Sequence, residues 1–227
     1  MVISIEYENK ELCSKCGGRC CKKSGCDYFV SDFKSIDKNT ILKVLETGNV
    51  SIVSAFKFEI LTNGKEVVVP ILYLRARNED RGIIDLFSMK KRCSMLTSTG
   101  CSYNLEQRPG GGVNLIPNEK GCKPLNNPLD ELKKWYPYQN LLAKMVKRYT
   151  GKTVDMVLKS DVEEVFYEVL SENFDGVDKL EIADISRCLP DLVKYYPEEY
   201  IKAKNRNNNE IKLIRNKWIC IFLENVI

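Results

Sequence analysis

The chain of 227 residues is 44% hydrophobic and 29% charged, and its 35 basic and 31 acidic residues leave a formal charge of only +4. This length and balance predict a globular protein that buries its own hydrophobic core, without the disulfide bridges that small secreted domains need. The basic residues are interspersed with acidic ones, so we expect no nucleic-acid partner.

The first elements of the chain are a short helix and a β-hairpin. Residues 37–48, DKNTILKVLETG, have an acidic start, periodic apolar positions and a closing glycine, which predicts a helix. Two β-branched and aromatic runs then flank Asn63-Gly64, the pair favoured in type I′ turns, and predict a hairpin. Because proline cannot donate a backbone hydrogen bond, Pro70 places the second strand at a sheet edge or marks a bulge.

The remainder of the chain changes from loops to helices. Residues 76–127 are rich in turn residues and include RPGGG at 108–112, whereas helical periodicity begins after 128. We predict an amphipathic helix over 129–150 that Pro137 interrupts, a helix over 153–173, shorter helices over 178–188, 190–204 and 210–225, and a helix–helix loop at 205–210. The predicted fold is therefore α+β. A loop-rich, Cys-ligated metal-binding half with a hairpin (1–127) precedes a helical region (128–227) that packs on it.

The sequence contains no long apolar segment. The opening stretch, MVISIEYENKEL, is acidic and has no apolar signal region. The longest apolar runs, at 67–74 and 218–223, are far shorter than the roughly 20 residues of a membrane span. We therefore expect a cytosolic protein with no membrane partner, in which thiols stay reduced.

Cysteine is the residue type that points to chemistry. The chain has 10 cysteines and no histidine, which excludes histidine metal ligands, Cys–His nucleophile pairs and Ser-His-Asp triads. Four thiolates can complete a tetrahedral zinc site or hold an iron–sulfur cluster. The Cys13-x2-Cys16 spacing is typical of chelation, and the glycines of GGR at 17–19 let the backbone curl before Cys20. The candidate ligands of one or two centres are Cys13, Cys16, Cys20, Cys21, Cys26, Cys93, Cys101 and Cys122.

The spacing also predicts how these cysteines divide. A tight loop can direct Cys13, Cys16 and Cys20 at one ion, but a fourth sulfur from the same loop is awkward. We expect at least one of Cys93, Cys101 and Cys122 to complete that centre. Cys188 and Cys220 lie on helical patterns and are expected to be buried as small apolar residues.

The pattern C-x2-C-x3-C-C-x4-C, followed by RCSMLTSTGCSYNLEQRP, resembles the YkgJ-type cysteine-cluster family, described as a zinc- or iron-chelating CxxCxxxCC domain. The matching later segments are Cys93-Ser94-Met95-Leu96, Gly100-Cys101 and Arg108-Pro109, and the resemblance covers residues 13–122. It implies a bound metal or cluster. A related cysteine region occurs in flagellin lysine N-methylases. Many members have cysteine and arginine soon after Arg-Pro where this chain has Gly112 and Val113, so Cys122 is the candidate replacement ligand.

Basic residues and glycines surround the later cysteines. Arg108 is a candidate cofactor-binding residue, because it could pair with Asp27 or Asp32 or offset thiolate charge. Gly110 to Gly112 could let backbone N–H groups approach an anion, or simply form a flexible turn. Apart from Arg108, the wider basic set is expected to be a solvated surface rather than a substrate site; its other members are Arg75, Arg77, Arg81, Lys90, Lys91 and Arg92.

These observations favour a metal-binding protein with Cys-ligated centres, either iron–sulfur or zinc. Two alternatives remain. One is a metal- or cluster-dependent enzyme that modifies a protein or peptide side chain, as the lysine N-methylase resemblance implies. The other is a thiol redox sensor that uses Cys20 and Cys21.

Overall fold

The computed structural model describes residues 15, 17–23, 26–98, 100–116 and 122–224, and all their side chains except those of residues 20, 23, 105, 180 and 211–224. Predictions that concern Cys13, Cys16 and the side chains of Cys20 and Cys220 lie outside this part of the chain. The architecture is α+β, as predicted, with a hairpin and small sheets in the N-terminal half and helices in the C-terminal half.

Two short helices precede the hairpin. Gly17 and Gly18 have left-handed φ angles of 61° and 74°, which turn the chain into α1 (Arg19–Lys23). After a 3-10 turn at Val30–Asp32, α2 spans Lys38–Glu46. The carboxylate of Asp37 accepts from the backbone N–H groups of the first turn of α2. The predicted helix over 37–48 is therefore confirmed.

The hairpin consists of β1 (Val50–Ile60) and β2 (Glu66–Ala76), paired antiparallel without a break in register. Pro70 lies opposite Phe56 in that register, so there is no bulge. The backbone nitrogen of Pro70 points to the same edge of β2 as the N–H and C=O of Leu72. Those two groups bond to Gln139 rather than to β1. Since that edge faces away from β1, the absent N–H of Pro70 breaks no hairpin bond.

The predicted hairpin is confirmed, but its turn is not the type I′ turn that Asn63-Gly64 favours. Leu61 N donates to Lys65 O at 2.8 Å and Gly64 N donates to Leu61 O at 2.8 Å, which leaves a three-residue loop. Only Gly64 in this loop has a positive φ, of 77°, whereas a type I′ turn needs positive φ at both central residues. The side chain of Asn63 accepts from Lys65 N at 3.0 Å, and this bond holds the alternative turn.

Two further segments flank the hairpin. Residues 26–28 pair with β2, because Tyr28 N donates to Leu74 O at 2.9 Å and Ala76 N donates to Cys26 O at 2.8 Å. On the other side, Ile52 N donates to Ile83 O at 2.8 Å. The first cysteine segment, residues 13–28, is thus attached to the edge of β2 through residues 26–28.

The following region is loop-rich, as predicted, and its elements are short. Residues 77–79 pair with 92–94: Ser94 N donates to Arg77 O at 2.8 Å and Glu79 N to Arg92 O at 2.6 Å. The remaining elements are β3 (Leu96–Thr97), β4 (Gly100–Cys101), a 3-10 turn (Leu105–Gln107), α3 (Gly110–Val113), β5 (Leu115–Ile116) and β6 (Lys123–Pro124).

The C-terminal half is helical, with two corrections to the predicted boundaries. The break at Pro137 is confirmed: α4 (Pro128–Lys133) and a 3-10 turn (Tyr136–Tyr138) precede α5 (Gln139–Thr150), and α6 (Val154–Leu170) follows. However, α7 (Lys179–Tyr195) continues through Pro190, and α8 (Pro197–Glu224) replaces two predicted helices.

The predicted loop at 205–210 is wrong because contacts with α6 hold this stretch in a helix. Asn207 Nδ2 donates to Leu170 O at 3.1 Å, at the end of α6. Arg206 pairs with Glu164 at 2.7 Å and lies over the ring of Tyr167, whose hydroxyl donates to Glu210. These bonds offset the weak helix propensity of asparagine.

One hydrophobic core contains residues from both halves of the chain, among them Ile41, Ile52, Leu74, Trp135, Leu142, Val146 and Phe166. Trp135 Nε1 donates to Tyr28 O at 3.1 Å and connects the first cysteine segment to the helices. The division into domains at residue 127 stays a prediction. Of the helices in the described residues, none is long and apolar enough to span a membrane.

Candidate metal centre

The first cysteine segment is in backbone contact with a second one, residues 93–122. Cys93 N donates to Cys21 O at 2.7 Å. Close by, an ideal Cβ added at Gly18 would lie 2.6 Å from Leu96 Cδ1. The stretch that follows Cys16 therefore packs on the stretch that follows Cys93, although many residues separate them in the chain.

A second contact joins Cys26 to the glycines at 110–112. Gly111 N donates to Asp27 O at 2.9 Å. An ideal Cβ at Gly111 would lie 2.6 Å from that oxygen, and one at Gly112 would lie 3.0 Å from Cys26 Sγ. Any larger residue at these positions would push the two segments apart.

The hydrogen bonds of these glycines argue against an anion-binding loop. Gly110 N donates to Asp32 Oδ2 at 2.7 Å, and Gly112 N donates to Pro109 O at 2.8 Å. Gly111 N is bonded to Asp27, so all three N–H groups serve the fold. These glycines allow the two segments to pack closely, and their N–H groups are not available to bind an anion.

Two tyrosines also meet where the segments join. Tyr28 and Tyr103 lie close enough for their side chains to interact. Burial raises the pKa of Tyr28 well above its ordinary value, and the neighbouring side chain of Tyr103 adds to this rise. Burial also raises the pKa of Tyr103, and the nearby thiols of Cys93, Cys101 and Cys26 add to this rise.

The cysteines that influence Tyr103 thus belong to both segments. Cys93 is buried, with 3% of its surface exposed, and Cys21, Cys26 and Cys101 are half-buried. Cys122 is also half-buried and precedes β6.

The described thiols do not by themselves form a ligand set. Within the described ranges, no group of three or more Cys, Asp or Glu side chains is arranged to hold a metal ion. A complete four-sulfur set would need sulfurs from Cys13, Cys16 or Cys20, whose side chains lie outside the described part. The predicted eight-cysteine assignment therefore stays a prediction.

The expected solvated basic surface is corrected for Arg75, Arg81 and Lys91, which are half-buried, whereas Arg92 is exposed as expected. The guanidinium of Arg75 donates to Asp27 Oδ1 and to the Tyr73 hydroxyl, each at 2.7 Å. Three other members are in ion pairs: Arg81 with Asp85 at 3.0 Å, Lys91 with Glu181 at 2.6 Å and Arg92 with Glu79 at 2.9 Å.

Arg108 is half-buried, and its Cβ lies near Gly112. Its Cβ lies 3.9 Å from an ideal Cβ at Gly112, the same position that approaches Cys26 Sγ. The two acids expected as its partners have other bonds: Asp27 pairs with Arg75, and Asp32 accepts from Phe29 N and Gly110 N. The role of Arg108 in offsetting thiolate charge stays a prediction.

Cys188 corrects another expectation, because it is exposed rather than buried. It lines a cavity of about 230 Å³ between β1 and α7, together with Phe56, Phe87 and the Lys91–Glu181 pair. Helical periodicity alone did not distinguish the outer face of α7 from its inner face.

Sequence analysis did not assign a role to Tyr28 or Tyr103. A signal for them exists, since both cysteine segments contain Cys-x-Tyr: Cys26-Asp27-Tyr28 and Cys101-Ser102-Tyr103. The pattern becomes meaningful only when the two side chains are seen to lie close together.

No family model, curated protein or solved structure matches the chain. The resemblance to the YkgJ-type family therefore depends on its motif residues alone and stays a prediction.

Proposed function

We propose that this protein holds one or two metal centres, an iron–sulfur cluster or zinc, through cysteine thiolates of its N-terminal half. The observation that carries the proposal is the contact between the two cysteine segments, made by the Cys93–Cys21 backbone bond and the approach of Gly112 to Cys26. With no histidine in the chain, thiolate is the donor available to a soft metal.

The surrounding residues suit a cluster of thiolates. The Cβ of Arg108 lies near Gly112, which packs on Cys26, and its guanidinium would offset negative charge in this region. The Arg75–Asp27 pair at 2.7 Å fixes the backbone next to Cys26 against β2. Four thiolates on zinc would supply a structural cross-link, whereas an iron–sulfur cluster would supply one-electron transfer.

Metal analysis of anaerobically purified protein tests the proposal. We expect zinc or iron in stoichiometric amount, and iron together with acid-labile sulfide and visible absorption if a cluster is present. A folded protein with no metal and with all of its thiols reactive would contradict the proposal.

The redox-sensor alternative, with Cys20 and Cys21 as its thiols, makes a different prediction. A sensor would form a reversible disulfide in metal-free protein under mild peroxide. The enzyme alternative requires an open coordination position, which X-ray absorption would detect as fewer than four protein ligands.

A further inference from the structure

The outer edge of β1, which faces away from β2, is paired in the first half of the strand. Ile52 N donates to Ile83 O at 2.8 Å and Ser54 N donates to Leu86 O at 3.2 Å. Because every second residue of a strand directs its N–H and C=O to the same edge, those of residues 56, 58 and 60 also point outward. Within the described ranges, no other segment bonds to these groups. Residues 56–60 therefore form an open strand edge.

This open edge has apolar side chains on one face and charged side chains on the other. Phe58 and Ile60 are 52% and 77% exposed, although they belong to a strand. On the opposite face, Lys57 pairs with Glu59, with Nζ and Oε1 2.7 Å apart. An unpaired strand edge with exposed apolar residues is a surface on which another strand can pair. A strand that fits here must match both the apolar face and the two charges.

The sequence of this edge, FKFEI, is complementary to itself. When a second copy is placed antiparallel with the two Phe58 residues opposite each other, Lys57 of each copy faces Glu59 of the other. In the same register Phe56 faces Ile60. Opposite charges in directly facing positions stabilise an antiparallel pair, whereas like charges destabilise it. A shift by two residues in either direction would place Lys57 opposite Lys57 or Glu59 opposite Glu59. The charges thus select one register, centred on Phe58.

We propose that two copies of this chain associate through the outer edge of β1, antiparallel about Phe58, so that their hairpins form one continuous four-stranded sheet. The outward N–H and C=O groups within 56–60 would exchange about six hydrogen bonds with those of the second copy. The contact is isologous, since both copies use the same patch, and it closes at two chains. The bond from Ser54 to Leu86 and the loop that begins at Leu61 set the two ends of the paired stretch. This inference is independent of the cysteine centre.

Sedimentation equilibrium of the full chain, purified with reductant so that no intermolecular disulfide forms, tests the proposal. Wild-type protein should shift from the 26.1 kDa of one chain to twice this mass as its concentration rises through the micromolar range. Lys57→Glu and Glu59→Lys should each raise the dissociation constant roughly tenfold or more, since each places like charges opposite each other twice. Lys65→Glu, the same charge change at an exposed position of the hairpin loop, is the control and should retain the wild-type constant.

An equimolar mixture of Lys57→Glu and Glu59→Lys tests the register. One variant is acidic at both positions and the other is basic at both, so the mixture should form a heterodimer with an affinity close to that of the wild-type dimer. A mixture that stays monomeric under conditions in which the wild type dimerises would overturn the proposed pairing.

Phe58→Pro tests the backbone pairing. The N–H of Phe58 points to the outer edge, so its loss breaks no bond of the hairpin, as is the case for Pro70 on β2. This variant should sediment as a monomer and keep the circular dichroism of the wild type. Wild-type protein that is monomeric at every concentration, or a dimer that neither Phe58→Pro nor the charge variants weaken, would overturn the proposal.

Discussion

The glycines of the chain differ in what an added methyl group would meet. At Gly110, Gly111 and Gly112 the methyl would approach Phe29, Asp27 and Cys26 at 2.6, 2.6 and 3.0 Å. At Gly82 its nearest neighbour is Ile84 O at 3.6 Å, an ordinary contact. Single residues thus decide how closely the second cysteine segment can approach the first.

We predict that Gly111→Ala lowers the free energy of unfolding by about 1–3 kcal/mol, because the methyl would meet a backbone oxygen that cannot move aside. It should also weaken metal retention against a chelator. The control is Gly82→Ala, which should change stability by about 0.5 kcal/mol or less. Equal effects of the two substitutions, measured by urea unfolding, would contradict the packing role of Gly111.

Asp161 on α6 is a second residue with a specific expectation. Its carboxylate accepts from Leu86 N at 2.9 Å and Phe87 N at 3.1 Å. Burial raises the pKa of Asp161 from 3.8 to about 6, and the charge of Asp85 contributes. The folded protein therefore holds a proton that the unfolded chain releases, so folding stability falls as pH rises through this range.

We predict that Asp161→Asn removes this pH dependence, since an amide oxygen can accept the same two bonds without a charge. Relative to the variant, wild-type protein should lose up to about 3 kcal/mol of stability between pH 4 and pH 7. Urea unfolding across that range measures the difference. Parallel profiles would show that Asp161 does not titrate as described.

At the scale of elements, the side chain of Gln139 connects the sheet to the helices. It accepts from Leu72 N and donates to Leu72 O, both at 2.8 Å. Leu72 is only 2% exposed, so water cannot readily replace these bonds. The side-chain amide of Gln139 thus satisfies both backbone groups of Leu72 at the outer edge of β2 and connects this strand to α5.

We predict that Gln139→Ala destabilises the protein by about 2–3 kcal/mol, because it leaves a buried donor and a buried acceptor unsatisfied. Asn140→Ala is the matched control, since Asn140 neighbours it on the same helix and is exposed. Thermal unfolding of both variants checks the prediction. A Gln139→Ala melting temperature equal to that of the control would contradict it.

Local signals predicted the elements that local interactions determine. The cap residue Asp37 defined α2, and alternating β-branched residues defined β1 and β2. The sequence did not predict the course of α8, because Asn207 and Arg206 are stabilised by partners on α6 that are distant in the chain. The turn type failed for a different reason: the bond from Lys65 N to Asn63 is local, but the Asn-Gly pair alone does not show whether this turn or a type I′ turn forms.

At the scale of the whole molecule, the predicted approach of two distant cysteine segments agrees with the Cys93–Cys21 contact. Spacing rules identified cysteines as the candidate ligands, but they contain no information on which tyrosines or glycines fill the space between segments. The proximity of Tyr28 to Tyr103 and the close packing of Gly111 depend on tertiary contacts alone.

The distribution of stability follows from this arrangement. The cysteine segments contain short elements, whereas the shared core includes α5 and α6. If metal supplies the folding energy of the segments, chelation should raise amide exchange in residues 26–30 and 93–103 and leave α5 and α6 protected. Uniform protection with and without chelator would argue against a metal that organises this region.

The most direct test of the central claim, that both segments contribute to one cysteine centre, is the metal content per chain of two anaerobically purified variants. Cys101→Ala should lose most of its metal and its characteristic absorption, even though it leaves the first segment intact. Cys188→Ala, which removes an exposed thiol on α7, should retain the wild-type values. Full metal content and an unchanged spectrum in Cys101→Ala, and likewise in Cys93→Ala and Cys122→Ala, would contradict the account.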